Sequence, residues 1–202
     1  MYKYKTEPFK HQRQSLMEGA KPHNFAYFME MGTGKTKVAI DNAAYLFQDQ
    51  KIDYVFVIAP NSVYQNWKKE IDIHCPEETN IYIWKVTKDK TFKMDPNKLT
   101  FVLMNVEALS HASGKKWLES KLQKHGMRSM IILDESTSIK NLKASRTKSI
   151  IKLGQLARYK RILTGSPITK SPLDLFSQCA FLDKKLLGYE SFTVFKSKYA
   201  VM

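Results

Sequence analysis

Residues 29–36 of the chain read Met29-Glu30-Met31-Gly32-Thr33-Gly34-Lys35-Thr36. This stretch follows an apolar run, 24–29, that is typical of a strand, and it precedes 37–49, whose apolar spacing predicts a helix. A glycine-rich turn from strand to helix that ends in Gly-Lys-Thr predicts a phosphate-binding loop, because backbone N–H groups and the helix N-terminus then point at one anion. The usual first glycine of such a loop is replaced here by Met29.

Each polar side chain of this loop has an expected role. Lys35 is expected to contact the β- and γ-phosphates of a nucleotide and to contribute to catalysis, and the Thr36 hydroxyl is expected to bind magnesium. The backbone surrounding the phosphates is assigned to Met31, Gly32, Thr33 and Gly34. A chance Gly-Lys-Thr tripeptide in a loop is the alternative.

The composition favours one globular domain with a polyanionic partner. The chain has 202 residues, and 43% of them are hydrophobic, which is enough for a core. Its formal net charge of +14 comes from 33 basic and 19 acidic side chains. This imbalance favours a nucleic acid as partner. A basic surface that only keeps the protein in solution is the alternative.

The two cysteines and the lengths of the apolar runs indicate in which cellular compartment the protein is expected. Cys75 and Cys179 are isolated and lack metal-ligand spacing, which favours reduced thiols. No signal peptide and no apolar run of membrane-spanning length is found in the sequence. We therefore expect no membrane partner and a cytoplasmic location.

Apolar runs that are typical of strands alternate with segments of helical spacing, and this alternation predicts an α/β, three-layer sandwich around a mostly parallel central sheet. The predicted strands are 24–29, 54–59, 81–84, 100–104, 130–133 and 161–163. The predicted helices are 9–19, 37–49, 63–71, 115–125 and 174–182. The segment 87–98 is predicted to be a surface loop, and 140–159 is basic with an apolar stripe of Ile150, Ile151, Leu153 and Leu156.

Three local expectations accompany these elements. In the first helix Phe9, Leu16 and Met17 are expected to be buried. Residues Asn61 and Ser62 are expected to cap the helix that follows them. Trp67 is expected to be a core anchor, at helical spacing with its apolar neighbours, rather than a base-stacking residue.

Polar residues follow the predicted strands, and in a parallel sheet those positions form the ligand-binding edge. Asp134 and Glu135 come directly after the run 130–133. A carboxylate at Asp134 can bind the magnesium that bridges nucleotide phosphates, and Glu135 can orient or deprotonate the attacking water. An acidic pair that only faces solvent is the alternative.

Several stretches together resemble helicase superfamily two, and in particular its Swi/Snf branch. Asp134-Glu135-Ser136-Thr137 and the following Ile139-Lys140-Asn141 resemble the magnesium-binding box, with Ser136-Thr137 in place of the usual Ala-His. Leu163-Thr164-Gly165-Ser166-Pro167 resembles the Leu-Thr-Gly-Thr-Pro box, and Ala59-Pro60-Asn61-Ser62 resembles the box after the second strand. The resemblance spans about residues 9–190.

The resemblance implies a RecA-like P-loop NTPase fold that uses ATP and magnesium. Gln12 corresponds to the glutamine that contacts adenine in that family, and Thr164 with Ser166 corresponds to the box that links the nucleotide site to DNA. The implied DNA contacts are Asn61, Ser62, Asn105 and Val106, with Lys140, Lys143, Arg146 and Lys148 as further candidates. For the four basic side chains a solvated basic face is the alternative. His11 and His74 have no partner that the sequence identifies, and both are interpreted as structural.

The resemblance further implies that residues 1–202 form a single N-terminal RecA-like ATP-binding domain. The family uses a second RecA-like domain whose arginines stabilise the transition state, and no such segment is present up to Met202. We expect that domain to be supplied in cis or in trans, and we expect weak ATP hydrolysis by the chain alone. The compact size favours a viral or bacterial source, with the host cytoplasm as the location if the source is viral.

The leading interpretation is the motor domain of an ATP-dependent DNA translocase or helicase, with duplex DNA as the favoured partner. The motor half of a restriction or branch-migration enzyme is built on the same core and stays open. A catalytically idle DNA-binding module is disfavoured by the complete set of Lys35, Thr36, Asp134 and Glu135. A nucleotide kinase is disfavoured by the basic charge and by the Thr164-Gly165-Ser166-Pro167 box. Nothing in the sequence separates DNA from RNA.

Overall fold

The computed structural model describes residues 2–85, 95, 97–189 and 191–199. Seven α-helices and six strands are found in this part of the chain. The strands are β1 Asn24–Phe28, β2 Tyr54–Ala59, β3 Thr79–Ile83, β4 Leu99–Asn105, β5 Ser129–Asp134 and β6 Tyr159–Thr164. The helices are α1 Lys10–Gly19, α2 Lys35–Gln48, α3 Asn61–His74, α4 Ala112–His125, α5 Ser145–Gly154, α6 Asp174–Leu182 and α7 Phe192–Tyr199. No described helix is long and apolar enough to cross a bilayer.

The six described strands form one sheet in the order β1-β6-β5-β2-β4-β3, and every neighbouring pair is parallel. The register pairs Phe28 with Thr164 and Ala59 with Asn105. Asp134 pairs with Leu163, one residue before the end of β6. Five strands that are far apart in sequence therefore end at the same edge of the sheet.

Both faces of the sheet are covered, and the alternation in β2 shows how. Val55 and Val57 belong to a core cluster that includes side chains of α1, α2 and α3, whereas Phe56 and Ile58 belong to a second cluster with α4, α5 and α6. A strand buried on both faces is apolar at every position, which explains the unbroken run at 54–59. The predicted three-layer α/β sandwich with a parallel sheet is confirmed.

The interior of β6 contains a buried cation, Arg161, which has no solvent exposure. Its guanidinium donates to neutral oxygens, and burial lowers the pKa of Arg161. The acceptors are Asn42 Oδ1 at 2.7 Å and the carbonyls of Lys160 at 2.8 Å and of Gly19, Pro22 and His23 at 2.9 Å each. Since the acceptors include Gly19 at the end of α1, Pro22 and His23 before β1, and Asn42 of α2, Arg161 ties the first two helices to the sheet.

Two of the three side chains expected to be buried in α1 are exposed. Leu16 is buried as predicted, but Phe9 is 71% exposed and Met17 is 74% exposed. The buried face of α1 consists of Gln12, Leu16 and Gly19, at a spacing of three or four residues. Met17 is one residue out of this face, and Phe9 precedes the helix, so neither reaches the core.

Several predicted boundaries move by one to three residues. Helix α2 begins at Lys35 rather than at residue 37, and α3 begins at Asn61, so the predicted cap by Asn61 and Ser62 is wrong. Pro60 precedes α3, and no side chain caps this helix. Leu156 lies beyond α5 and is 36% exposed, whereas Ile150 and Leu153 are buried as the predicted stripe requires. The predicted loop 87–98 lies mostly outside the described residues.

We expect Arg161→Met to lower the free energy of unfolding by about 3–5 kcal/mol, because five oxygens, three of them in buried contacts, lose a hydrogen bond from the guanidinium. Arg158→Met is the matched control, since Arg158 is half-buried and contacts the Tyr159 ring at 5.6 Å. Its loss is expected to cost below about 1 kcal/mol. Chemical denaturation of both variants measures the difference, and equal losses would contradict the role given to Arg161.

Candidate nucleotide site

The loop between β1 and α2 turns through two glycines in the left-handed region. Gly32 has φ of 77° and Gly34 has φ of 82°. An L-residue with a side chain is strained there, so these positions favour glycine. The loop is tied to the sheet at its start, where Met29 N donates to Thr164 O at 3.2 Å. It therefore lies beside the end of β6.

Lys35, the first residue of α2, extends its side chain back over this loop. Its Nζ donates to the carbonyls of Met29 and Glu30, both at 3.1 Å, and the residue is 9% exposed. Thr33 closes the same turn by donating its hydroxyl to Glu30 O at 2.7 Å. The ammonium group is thus held inside the loop where the sequence places the phosphates.

Helix α1 contacts the loop through two side chains. Gln12 Nε2 donates to Thr33 O at 2.9 Å, and Gln12 Oε1 accepts from Phe9 N at 3.0 Å. His11 Nε2 lies 3.0 Å from the same Thr33 oxygen and must donate, because a carbonyl only accepts. Gln12, the predicted adenine contact, is buried against the loop, and one amide hydrogen and one carbonyl lone pair remain for a further partner.

The sequence identified no partner for His11 or His74, but the structure shows a hydrogen-bond partner for each. His11 contacts the predicted phosphate-binding loop, as just described, and its position directly before Gln12 was the available signal. His74 Nδ1 lies 2.6 Å from Thr6 Oγ1, and its Nε2 lies 3.3 Å from Glu70 Oε2. Burial lowers the pKa of His74, and the Glu70 carboxylate opposes this change. His74 therefore links the N-terminal segment to α3.

Asp134, the last residue of β5, is 4% exposed, and both of its carboxylate oxygens accept hydrogen bonds. Trp67 Nε1 donates to Oδ2 at 2.9 Å, and Glu135 N donates to Oδ1 at 2.9 Å. Burial raises the pKa of Asp134, while these two hydrogen bonds and the charge of Lys35 oppose the rise. The carboxylate is thus desolvated but held in a fixed orientation. Trp67 is buried as predicted, but its contact with Asp134 was missed.

Glu135 follows in a left-handed backbone conformation, with φ of 46°. A positive φ at a non-glycine residue is uncommon and is concentrated at functional sites. Burial raises the pKa of Glu135, the neighbouring Asp134 charge raises it further, and Lys35 opposes both. A partly buried carboxylate with a raised pKa has the chemistry of a general base.

Lys35, Asp134 and Glu135 line one cleft of ≈ 340 Å³, and Gln12 and Thr33 are not part of its lining. Its lining comprises Met31, Gly32, Gly34, Lys35, Thr36, Val63, Asn66, Trp67, Glu70, Asp134 and Glu135. The Thr36 hydroxyl and the Asp134 carboxylate are hard oxygen donors, which suit magnesium. The described residues contain no cluster of three or more His, Cys, Asp or Glu that could hold a metal. Magnesium at a nucleotide site does not require one, since it is bound by one or two protein oxygens together with phosphates and water.

A smaller cavity of ≈ 120 Å³ adjoins the acidic pair. Its lining comprises Met31, Glu135, Thr137, Thr164, Gly165, Ser166 and Thr169. Thr164 Oγ1 accepts from Ser166 N at 3.2 Å, so the two residues predicted to couple the sites form one turn. A Cβ at Gly165 would lie 3.2 Å from Met31 N, which shows how closely this turn packs on the loop between β1 and α2.

Ser136 connects the acidic pair to the segment after β6. Its hydroxyl donates to Gln178 Oε1 at 2.6 Å, and both residues are fully buried. Gln178 Nε2 donates to Pro167 O at 2.7 Å and to Asp174 O at 2.9 Å. The turn after β5 and the turn after β6 are thus joined through one side chain of α6. Ser136 was noted in the sequence only as a replacement, and Gln178 was not predicted.

The predicted nucleic-acid contacts separate into two groups. Asn105 Nδ2 donates to Asn61 Oδ1 at 2.7 Å, and Asn105 Oδ1 accepts from Ala108 N at 2.7 Å, so the ends of β2 and β4 are brought together. Ser62 is exposed beside Asn61.

The basic candidates are held by other segments. Lys140 Nζ donates to Thr169 Oγ1 at 3.1 Å, after β6, and Arg146 Nη2 donates to Ser138 O at 3.3 Å, after β5. Lys143 and Lys148 are exposed. These side chains are therefore not joined to the Asn61–Asn105 pair by a contact in the described residues.

A parallel sheet with this loop after β1 and an acidic pair at the end of β5 defines the class of P-loop NTPase folds. Residues 17–201 match the model of the SNF2-related domain. The chain belongs to the SNF2-related domain family. The resemblance to the Swi/Snf branch of superfamily two is thereby confirmed.

Two curated relatives illustrate the match. The chromatin-remodeling ATPase INO80 of Debaryomyces hansenii is 31% identical over 181 residues, which cover 84% of this chain and 13% of that protein. A Caenorhabditis elegans homolog of SWI/SNF-related matrix-associated actin-dependent regulator of chromatin subfamily A-like protein 1 is 29% identical over 170 residues, which cover 84% of this chain and 23% of that protein. The chain therefore spans less than a quarter of the length of either relative.

Solved structures show the same fold. The SWI2/SNF2 ATPase core of Sulfolobus solfataricus, solved in complex with dsDNA, superposes with a TM-score of 0.77 at 24% identity and covers 98% of this chain and 40% of that one. The UvsW helicase of bacteriophage T4 gives a TM-score of 0.61 at 16% identity, covering 88% of this chain and 58% of that one. The curated relatives named above are eukaryotic, and they support neither a viral or bacterial source nor a cytoplasmic location in particular.

We expect Gly34→Ala to lower the free energy of unfolding more than Gly32→Ala does. Both replacements place a side chain at positive φ, which costs about 1–2 kcal/mol. A Cβ at Gly34 would also lie 2.3 Å from Gln12 Nε2, whereas one at Gly32 meets nothing within 4 Å. The additional loss should be about 1 kcal/mol, the value of the displaced Gln12–Thr33 hydrogen bond. Denaturation curves measure it, and the difference should shrink in a Gln12→Ala background; equal losses would contradict the contact.

We expect Ser136 and Gln178 to be energetically coupled. Gln178→Leu should lower the free energy of unfolding by about 1–3 kcal/mol, because Ser136 Oγ is left buried without its acceptor. The double variant Ser136→Ala/Gln178→Leu should lose less than the sum of the two single variants, with an interaction energy of about 0.5–3 kcal/mol. A double-mutant cycle from denaturation data checks this, and strictly additive losses would refute it.

Proposed function

We propose that this chain is the N-terminal RecA-like ATP-binding domain of an ATP-dependent DNA translocase or helicase. The observation that carries the proposal is the single cleft lined by Lys35, Thr36, Asp134 and Glu135, which adjoins the turn of Thr164 and Ser166. Membership in the SNF2-related family supports ATP hydrolysis as the activity. The named relatives are described as a chromatin-remodeling ATPase and a SWI/SNF-related regulator of chromatin.

In this proposal each residue in or beside the cleft has its own role. Lys35 and the backbone of Gly32, Thr33 and Gly34 bind the phosphates, with Met31 at the rim, and Gln12 contacts the adenine. Thr36 and Asp134 hold magnesium, the latter directly or through water. Magnesium bound with ATP supplies positive charge for the phosphate oxygens in the transition state.

Glu135 would orient the lytic water and accept its proton. Two features of this chain favour that assignment. Glu135 has a positive φ directly after Asp134, and burial together with the neighbouring negative charge raises its pKa, which makes it a better proton acceptor. Lys35 limits the rise and belongs to the same cleft.

A DNA partner is proposed from three observations. The net charge is +14, and one compared structure is an SWI2/SNF2 core in complex with dsDNA. Asn61 and Asn105 form a polar pair at the edge of the sheet that also carries the cleft, and Ser62 adds a hydroxyl beside them. Small polar groups and helix N-termini of this kind contact phosphates rather than bases. Lys140 and Arg146 remain candidates for the same backbone.

We further propose that hydrolysis at full rate needs a second RecA-like domain, in cis or in trans. Arg158 contacts the Tyr159 ring and Arg161 is buried with all its donors used, so neither is placed to reach a nucleotide in the cleft. An arginine finger from a second domain is worth about a thousandfold or more in rate. Residues 1–202 are on this view one half of the active site.

Steady-state ATP hydrolysis without nucleic acid and with single-stranded DNA, duplex DNA or duplex RNA tests the proposal. We expect weak turnover that duplex DNA raises most. Lys35→Ala and Glu135→Gln should both abolish turnover, but only Lys35→Ala should also weaken ATP binding, because Glu135 acts on water rather than on the phosphates.

The matched control is Glu119→Gln, since Glu119 is an acidic residue of α4 that pairs with Lys152 at 3.0 Å, outside the cleft lining. This variant should hydrolyse ATP as the unmodified chain does. Binding of DNA with no nucleotide binding would instead favour the catalytically idle module and refute the proposed ATPase.

A further inference from the structure

We propose that Trp67 is a positioning residue, whose indole N–H fixes the orientation of the Asp134 carboxylate for a bound magnesium ion. The inference rests on the proposed function, since it concerns the same cleft. It goes beyond that function by giving a defined role to a side chain that the sequence presents only as part of the core.

The hydrogen bond joins two buried groups. Trp67 Nε1 lies 2.9 Å from Asp134 Oδ2, Trp67 has no solvent exposure and Asp134 is 4% exposed. A buried indole N–H normally finds an acceptor, but that acceptor need not be a functional carboxylate. Here the acceptor is the acidic residue that ends β5 beside the phosphate-binding loop.

Each carboxylate oxygen of Asp134 is held by a hydrogen bond from a different donor. Oδ2 accepts from Trp67 Nε1, and Oδ1 accepts from Glu135 N, both at 2.9 Å. A carboxylate oxygen can accept two hydrogen bonds or one hydrogen bond and one further ligand. One lone pair on each oxygen therefore remains for magnesium or for a magnesium-bound water, and the plane of the group is already set.

Trp67 belongs to both the core and the cleft. Its ring is part of the core cluster that contains side chains of α2 and α3, and it also lines the cleft that contains Lys35 and Thr36. An apolar side chain of similar size would also contribute to the core, but it would leave Asp134 Oδ2 without this donor. The nitrogen of the indole is the part of the residue that packing does not require.

Helix α3 gives this contact a rigid support. The helix begins at Asn61, separated from the end of β2 by Pro60 alone, and reaches Trp67 within two turns. Asn61 is held to Asn105 at the end of β4. The donor to Asp134 is thus fixed by two neighbouring strands, β2 and β4, while the acceptor is fixed by β5.

The test compares Trp67→Phe with Trp117→Phe. Phenylalanine keeps an aromatic ring in the core and removes the N–H. Trp117 is a suitable control, since it is 8% exposed, stacks on Tyr82 with a ring separation of 5.7 Å, and belongs to the core on the other face of the sheet. The probe is the non-hydrolysable ATP analogue AMP-PNP, titrated calorimetrically with magnesium present and again with excess EDTA.

The measured quantity is the gain in AMP-PNP affinity that magnesium provides. We expect Trp67→Phe to reduce this gain by about tenfold, as the loss of a group that orients a metal ligand typically does. Its affinity in EDTA should match that of the unmodified chain, and Trp117→Phe should keep the whole gain. An unchanged or larger gain in Trp67→Phe would overturn the inference.

A second measurement leaves Trp67 in place, in case Trp67→Phe does not fold. The chain has three tryptophans, so Trp84→Phe/Trp117→Phe leaves Trp67 as the sole indole. Adding magnesium to the AMP-PNP complex of this variant should shift the fluorescence of Trp67, and no shift would overturn the inference. If the unmodified chain binds no AMP-PNP at all, both the proposed function and this inference fail. If the unmodified chain binds AMP-PNP, and both Trp67→Phe and Trp117→Phe keep the whole magnesium-dependent gain in affinity, only this inference fails.

Discussion

The structure depends on one constraint, which is the parallel direction of all six described strands. Parallel pairing sends every carboxyl end to the same edge, so residues separated by more than a hundred positions become neighbours there. Phe28 pairs with Thr164, and Asp134 pairs with Leu163, which places the predicted phosphate-binding loop, the acidic pair and the Thr164 turn side by side. Parallel strands also need covered faces, and the two helical layers supply that cover.

Two buried charged side chains of this fold, Arg161 and Asp134, are stabilised by hydrogen bonds with neutral groups. Arg161 in β6 is surrounded by carbonyls and one amide, and Asp134 in β5 accepts from an indole and a backbone N–H. Burial shifts the pKa of both side chains toward the neutral form. The two cases differ in outcome, because Arg161 is enclosed and serves the packing, whereas Asp134 faces the cleft.

Side-chain contacts also join the neighbouring turns of the site to one another. Gln12 and His11 hold Thr33 of the loop, Gly165 packs on Met31, and Gln178 bridges Ser136 and Pro167. The Ala-His pair that the Swi/Snf branch usually has is Ser136-Thr137 in this chain. Ser136 replaces the small apolar residue with a hydroxyl that reaches α6, and Thr137 lines the cavity beside Glu135. The connection between the two turns is thus made by the side chains of Ser136 and Gln178.

The sequence alone determined the class of fold and the main candidates of the nucleotide site, because both leave local patterns. The run Tyr54–Ala59 is apolar at every position since both of its faces are buried, and Gly32-Thr33-Gly34-Lys35-Thr36 is a contiguous motif whose conformation follows from its own residues. The end of β5 is marked in the same way by an apolar run followed by two acids. Their assigned roles remain predictions.

Only the tertiary structure decided which side chains support these groups. Trp67 is 67 positions from Asp134, and Ser136 is 42 positions from Gln178, so no local pattern could reveal either contact. The exposure of Phe9 and Met17 was missed for a related reason, since which face of α1 is buried depends on where the sheet and α2 lie. Local periodicity specifies that a helix has an apolar side, and packing against distant elements decides which residues belong to it.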